Sequence, residues 1–375
     1  MRIGINALAV DPERPGGDVS YVREMVRRLP AQDPSIDWVV FVAGWARHFF
    51  GVLPNNARYV ACAVPPGSLV VRALWEQTVL LPLARRAQLD VLFAPINVLP
   101  LAYAGKTLLT LHEAEPFMPD SGIPLPLLAW WRTVRALSAK RAATILTVSN
   151  SAQHQLVRWM GLPTDRVRVV HLGVDAGRFA AASAEAWSVP LNGEPYILWV
   201  GRPYPRKNLE TLLTAFADLR GAGRTERLVL VGPPGWNEAA LLARIRTEFE
   251  PGAVLRVPAV WNELPRWYSS AAVFAFPSTQ ESFGLPVLES MASGTPVIAG
   301  DIPALREVGG DAAAYCAPTH ARHLAETIHD VLTDTERYEA MRQRGFGRAA
   351  TFGWSQTARQ TLANLEAVAR SSACL

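Results

Sequence analysis

The sequence predicts an α/β protein built of two doubly wound domains, and three observations carry that prediction. Short apolar runs alternate with longer amphipathic stretches, the order of strand and crossover helix. The runs are apolar throughout rather than at every second residue, as in parallel strands buried on both faces. The chain has 375 residues, 50% of them hydrophobic, which at roughly 150 residues per domain supplies two cores.

The first set of strands is expected at "RIGIN", "WVVFVA", "RYVACAV", "VLFAP", "TLLTL", "TILTVS" and "VRVVHLG", and the second at "YILWVG", "LVLVG", "VLRVP", "VFAFP" and "PVIAG". Most of these runs end in Gly, Pro, Ser or His, which is turn chemistry. Between them lie helices with a clear period. "VSYVREMVRRL" puts Val22, Met25, Val26 and Leu29 on one face. "NLETLLTAFADLRG" does the same with Leu209, Leu212, Leu213, Phe216 and Leu219, with Asn208 as N-cap and Gly221 as the stop. The expected layout is a first domain over 1–175, a linker over 176–194 where residues are small and aperiodic, a second domain over 195–353, and a last helix within 354–375.

The formal net charge is +4 and spread out, with no Lys/Arg-rich run; it suits anionic small molecules or a membrane surface as well as nucleic acid and decides nothing alone, and no nucleic-acid partner is expected from the chain as a whole. Cys62, Cys316 and Cys374 are an odd, scattered set, neither a disulfide framework nor a metal cluster, and a reducing compartment is the simple reading. "MRIGINALAV" lacks a cleavage region and reads as a strand rather than a signal peptide. With no apolar run near the ~20 residues of a membrane span, a cytoplasmic location is expected.

In open α/β sheets ligands bind outside the carboxyl ends of the strands, and the unusual polar residues fall there. Gly16 and Gly17 precede the first helix, His112 follows "TLLTL", Arg202 follows "YILWVG", and Glu281 follows "VFAFP". Two sheets whose functional edges face each other would enclose a cleft, the usual place for a small molecule. In "GRPYPRKNLETLLTAF", Arg202, Arg206 and Lys207 crowd a helix start, where cations are unfavourable unless an anion joins them. A diphosphate suits the place; a solvated basic loop is the alternative. In "PSTQESFGLPVLESMASGTPVIAG", Pro286 suits the first turn of a helix running from Leu285 to Met291. The loop Ser282, Phe283, Gly284 leaves amides that can grip an anion. Glu281 and Glu289, on either side of that break, can hold sugar and ribose hydroxyls. The bland alternative makes Glu281 a helix cap and Glu289 a solvated residue.

With those residues in view, "ESFGLPVLE" resembles the E-x7-E motif of the retaining glycosyltransferases of family 4, which adopt the GT-B fold. "GRPYPRKNLETLLTAF" resembles that family's donor-phosphate segment. "TVSNSAQHQL", "VVHLGVD", "DIPALREVGGDAA" and "FGWSQTA" resemble further segments, so the likeness covers nearly the whole chain. The resemblance implies two Rossmann-like domains facing across a cleft, with the last helix crossing back to the first domain. It implies transfer of a hexose from a nucleoside diphosphate sugar to a glycan or lipid-linked glycan, with retention, without a metal and without a cofactor. Arg202 and Lys207 would neutralise the diphosphate. Glu281 would contact the donor sugar and Glu289 the ribose, while Phe283, Gly284 and Leu285 would offer amides to phosphate. His112 would lie near the reaction centre, Gly16 and Gly17 would let backbone approach the diphosphate, and Val260 in "RVPAVWNEL" would contact the base.

Two departures stand out. Asp18 follows Gly17 where the family has an aliphatic residue, and it repels a diphosphate unless it serves as the helix N-cap. Glu113 follows His112 where aspartate is common. The segment "RALWEQTVLLPLARRAQLDVLFAPINVLP" resembles members that build bacterial surface polysaccharides, which makes GDP-mannose the expected donor. "LLAWWRTVRALSAKRAA", with two tryptophans and four cations, reads either as a helix packed on the first domain or as a peripheral membrane contact. "WARHFFGVLP" raises the same question more weakly. A degenerate nucleotide-binding partner without transferase activity is the competing class; a dinucleotide oxidoreductase is disfavoured because no G-x-G-x-x-G follows a strand.

Overall fold

A computed structural model describes residues 1–14, 16–67, 69–119, 123–182, 193–258 and 262–371. The chain divides into two compact units: Met1–Leu172 with Trp354–Leu375, and Gly173–Gly353.

Unit 1 is a parallel sheet of β1 (Arg2–Asn6), β2 (Asp37–Ala43), β3 (Ala57–Cys62), β4 (Val91–Ala94), β5 (Thr107–Thr110), β6 (Thr144–Thr147) and β7 (Val167–Val169) in the order β3-β2-β1-β4-β5-β6-β7. Its helices are α1 (Gly17–Gln32), α2 (Leu69–Thr78), α3 (Leu80–Arg86), α4 (Leu125–Arg141) and α5 (Asn150–Met160). The strand order reverses between β1 and β4, so the crevice that doubly wound sheets use for ligands opens at their carboxyl ends. Val22, Met25, Val26 and Leu29 of α1 are all fully buried, and the helix runs through Pro30 before it stops. α5 is stapled at both ends: Ser149 Oγ accepts from the Ala152 N–H at 2.9 Å, and Gly161 closes it in the left-handed region.

Unit 2 opens with α6 (Ala176–Ala182), a helix within the stretch expected as linker; residues 183–192 of that stretch lie outside the described residues. Its sheet contains β8 (Tyr196–Val200), β9 (Arg227–Val231), β10 (Val254–Val257), β11 (Val273–Phe276), β12 (Val297–Gly300) and β13 (Ala313–Cys316), parallel throughout, in the order β10-β9-β8-β11-β12-β13. The helices between are α7 (Leu209–Gly221), α8 (Glu238–Glu248), α9 (Leu264–Ser269), α10 (Leu285–Ala292), α11 (Pro303–Gly309), α12 (Ala321–Thr333) and α13 (Thr335–Ala350). Here the reversal falls between β8 and β11, so the loops carrying Arg202–Lys207 and Glu281–Gly284 leave the sheet side by side. β13 has no counterpart among the expected strands. It is a partly buried edge strand of four residues, "AAYC", too short and too mild to stand out in hydropathy.

The chain then returns to unit 1 as α14 (Trp354–Arg370), which packs on α1, β4 and β5. Polar contacts seal it: Arg28 donates to Ser355 Oγ at 3.0 Å, and Thr357 Oγ1 donates to the His171 carbonyl at 2.8 Å.

Candidate active site

In unit 2 the chain leaves β8 at Gly201 and passes Arg202 before a single 3₁₀ turn, Pro205–Lys207. Asn208 follows in the left-handed region (φ 55°), at the N-cap position of α7 as expected. Its side chain does not cap, however. It donates to the carbonyls of Pro277 and Pro318, tying the loop after β8 to the loops after β11 and β13. Asparagine tolerates this backbone where most residues do not.

That tie brings Lys207 onto Glu281. Lys207 Nζ donates to Glu281 Oε1 at 2.6 Å, and Arg206 Nη1 stands 3.9 Å from Oε2. The pair is nearly buried, with side-chain exposures of 13% and 8%, and Lys207 Nζ also lies 4.6 Å from the Phe276 ring centroid. The cation expected on the diphosphate and the acid expected on the sugar are therefore one ion pair, separated by 74 residues in sequence. Glu281 is not a helix cap: the N-cap of α10 is Gly284. Arg202 is partly exposed and reaches Tyr204 Oη only at 3.5 Å.

Gly284 has φ 109°, and a Cβ there would lie 2.6 Å from the Leu305 side chain, so the turn into α10 demands glycine twice over. Phe283 turns inward, 3% exposed, its ring edge-on to Phe352. Leu285 and Pro286 open the helix; Pro286 brings no N–H, and the Val287 N–H donates to the Gly284 carbonyl at 3.0 Å. Glu289 lies one turn on and accepts a hydrogen bond from Tyr268 Oη at 2.9 Å. Burial pushes its carboxyl above the usual carboxylate range, while the Tyr268 bond and the charge of Arg178 pull it back. Burial, Glu289's charge and the shared hydrogen bond all push the Tyr268 phenol well above its ordinary value. Glu289 is thus a braced acid rather than a solvated one.

Tyr268 and Arg178 escaped the sequence reading. Tyr268 sits in "ELPRWYSSAA", where no motif marks it, and Arg178 in the small, aperiodic stretch expected as linker. Val260, expected at the base, lies outside the described residues.

In unit 1, Gly16 is the N-cap of α1 in extended backbone, and Gly17 begins the helix. Asp18 is not the N-cap. It lies in the first turn, where a carboxylate complements the helix dipole, and its Oδ1 accepts from the Val19 N–H at 2.9 Å. His112, 9% exposed, follows β5. Its Nε2 lies 2.8 Å from the Pro95 carbonyl, so that nitrogen carries the proton and donates. Its backbone N–H donates to Asn97 Oδ1 at 2.9 Å, and Tyr21 stands edge-on to the ring at 5.1 Å. Burial lowers the His112 pKa; Asp18, the Pro95 bond and Glu113 raise it, and Arg135 lowers it further. Arg135 is 8% exposed, 3.6 Å from Glu113 Oε1, with its pKa lowered by burial against the pull of Glu113, Glu115 and Asp18.

Each unit thus gathers its polar residues at the carboxyl edge of a parallel sheet, and unit 2 adds a helix N-terminus behind three cations, which suits an anionic ligand; the two Rossmann-like units are those of a GT-B glycosyltransferase. Among solved structures, sucrose-phosphate synthase from Thermosynechococcus elongatus superposes with a TM-score of 0.79 over 98% of this chain and 99% of that one, at 22% identity, a likeness of fold. The Glycosyltransferase Family 4 description matches residues 15–178, and Glycosyl transferases group 1 matches residues 184–348. The chain is 30% identical over 259 residues to O-antigen chain mannosyltransferase B of Escherichia coli, covering 68% of each. It is 36% identical over 286 residues to D-inositol 3-phosphate glycosyltransferase of Nocardia farcinica, covering 72% of this chain and 61% of that one. This chain belongs to glycosyltransferase family 4.

Proposed function

We propose that the chain transfers a hexosyl group, with retention, from a nucleoside diphosphate sugar to a hydroxyl of a glycan or lipid-linked glycan. GDP-mannose is the preferred donor. The observation that carries this reading is the Lys207–Glu281 pair, with Arg206 beside it and the N-terminus of α10 following it. As the glycosyl C1–O bond to the diphosphate breaks, negative charge grows on the departing phosphate oxygen. Lys207, Arg202 and Arg206 offset that charge together with the backbone amides of Gly284 and Leu285. Glu281 holds Lys207 in place and offers its second oxygen to a sugar hydroxyl. Glu289, braced by Tyr268, takes the ribose. The acceptor oxygen bonds to C1 and its proton leaves with the diphosphate. In this reading the cations do the work a divalent metal does elsewhere, and no cofactor takes part. His112, with Nε2–H committed to Pro95, presents Nδ1 as its acceptor.

The mannosyltransferase relative supports the donor preference, and the inositol phosphate relative keeps a phosphorylated acceptor in play. No helix among the described residues is long and apolar enough to cross a membrane. α4 buries Val134, Arg135, Ser138 and Ala139 against unit 1 and exposes Leu125 and Leu137. We assign the protein to the cytoplasm, working at the inner membrane face if its acceptor is lipid-linked. A thermal-shift panel with GDP, UDP, ADP and dTDP and their sugar conjugates tests the proposal. A ligand at 100 times its Kd stabilises by about 2.7 kcal/mol. A shift with GDP and GDP-mannose is expected. A shift with UDP alone replaces the donor, and no shift at all favours a partner without transferase activity.

A further inference from the structure

Arg256, on β10, was legible in the sequence only as one residue of a strand, yet its guanidinium is engaged on every nitrogen. Nε donates to Glu238 Oε1 at 2.9 Å. Nη1 reaches the carbonyls of Gly232 at 2.8 Å, Leu230 at 3.1 Å and Val257 at 3.3 Å, and Nη2 reaches Pro233 at 2.7 Å. Its side chain is 12% exposed. All three nitrogens of the planar fork are thus turned to protein acceptors, four of them backbone carbonyls. The guanidinium is committed to the protein's own backbone and to Glu238.

Its partners explain why it is there. The loop after β9, "GPPGW", turns the Gly232 and Pro233 carbonyls onto Arg256, beside those of Leu230 in β9 and Val257 in β10, and has two prolines that bring no N–H. A cation in the middle satisfies those oxygens, as buried backbone requires. The loop so fixed lies directly on the segment after β8. A Cβ on Gly232 would fall 1.8 Å from the Gly201 carbonyl oxygen, and one on Gly235 would fall 2.3 Å from that of Pro203. The Trp236 N–H donates to Pro203 at 2.6 Å, and Glu238, already held by Arg256, accepts from the Gly235 N–H at 3.0 Å. The path from Arg256 to the phosphate-binding segment is thus backbone against backbone, with no long side chain to absorb a shift.

We propose that Arg256 is a positioning residue for the donor: by gathering the loop after β9 it sets the conformation of residues 201–207, which carry Arg202, Arg206 and Lys207. The inference rests on the donor role given to that segment, and its test separates the two. Arg256→Met and Arg256→Lys are compared with wild type by hydrogen exchange and by calorimetry with GDP and UDP as probes. Lysine keeps the charge but cannot fan out to the four carbonyls, so both variants are expected to behave alike. Exchange should quicken at least tenfold in 201–207 and 232–237 and stay unchanged in β11 and α10, while the diphosphate that wild type binds loses at least tenfold in affinity. In a transfer assay the donor KM rises and kcat moves less. A folded variant whose 201–207 amides exchange as in wild type overturns the proposal, as does loosening spread evenly over unit 2, which marks a merely structural residue. If exchange loosens locally but wild type binds neither probe, the positioning stands and the donor reading fails.

Discussion

The two sheets present opposite charge at matching edges. Beyond the carboxyl ends of β8 and β11, the polar set is Arg202, Arg206 and Lys207 against Glu281 and Glu289. Beyond those of β1 and β5 it is Asp11, Asp18, Glu113 and Glu115, with Arg135 sunk beneath Glu113 and Arg14 3.6 Å from Asp11. Both edges have the same construction, a parallel sheet reversing its order at a central strand pair. The difference therefore lies in the loops, and it separates two tasks. The basic edge suits a group that becomes more negative as it leaves, and the acidic edge suits hydroxyls.

Breaking the basic edge should have the largest effect. Lys207→Met removes the cation and strands Glu281, 8% exposed, without its nearest partner. The loss of transition-state charge stabilisation is expected to cost about 10²–10³ in kcat. Breaking a buried pair costs about 3–5 kcal/mol, with Arg206 at 3.9 Å drawing the figure to the low end. Adding Glu281→Leu should restore stability in urea titration but not turnover. A kcat within tenfold of wild type would show that charge does not develop at this edge.

A smaller effect is expected inside the same unit. Tyr268→Phe removes the bond to Glu289, worth about 1.5–3 kcal/mol for a charged acceptor. The pH dependence gives its sign. Because the folded Glu289 pKa is raised, the folded state holds its proton longer than the unfolded chain does. Stability therefore falls as pH rises from the ordinary carboxylate value through the folded one. Losing the Tyr268 bond raises the folded value further, so the deficit of Tyr268→Phe should grow once pH rises past the folded Glu289 value of the wild type. A deficit that does not vary with pH means Tyr268 acts through packing alone.

The smallest effect sharpens the acidic edge. His112 has a lowered folded pKa, so its contribution is present above about pH 6.5 and is lost as pH falls through the folded value. Asp18 opposes the lowering. Asp18→Asn should move the His112 titration lower by NMR and deepen the acid loss by less than about 1 kcal/mol, an effect that salt screens. A titration that moves upward instead would remove Asp18 from the surroundings of His112.

How much of this was legible in the sequence differs between fold and site. Strands such as "YILWV" and "RLVLV" announce themselves because both faces are buried, whereas β13 does not because its edge position leaves it mild. The candidate site residues of unit 2 were legible by kind: Lys207, Glu281, Gly284 and Glu289 stand where strand ends and a helix start place polar or flexible residues. Their partners were not. Periodicity reports which face a residue is on, not which residue from a distant loop meets it there. Lys207 with Glu281, Tyr268 with Glu289 and Arg256 with the loop after β9 are all meetings of that kind.

The return of α14 to unit 1 has a consequence in time. A growing chain emerges from its N-terminus, and the strands of the first sheet are all made by Val169. The helix that covers β4 and β5 and carries Ser355 and Thr357 to their partners follows about 180 residues later. At about 5–20 residues per second that delay is roughly 10–40 s. The second unit can close while the first still waits with that face of its sheet uncovered. The half of the protein synthesised first is then the half completed last, and a nascent chain halted before Trp354 should bind a chaperone through unit 1 rather than unit 2.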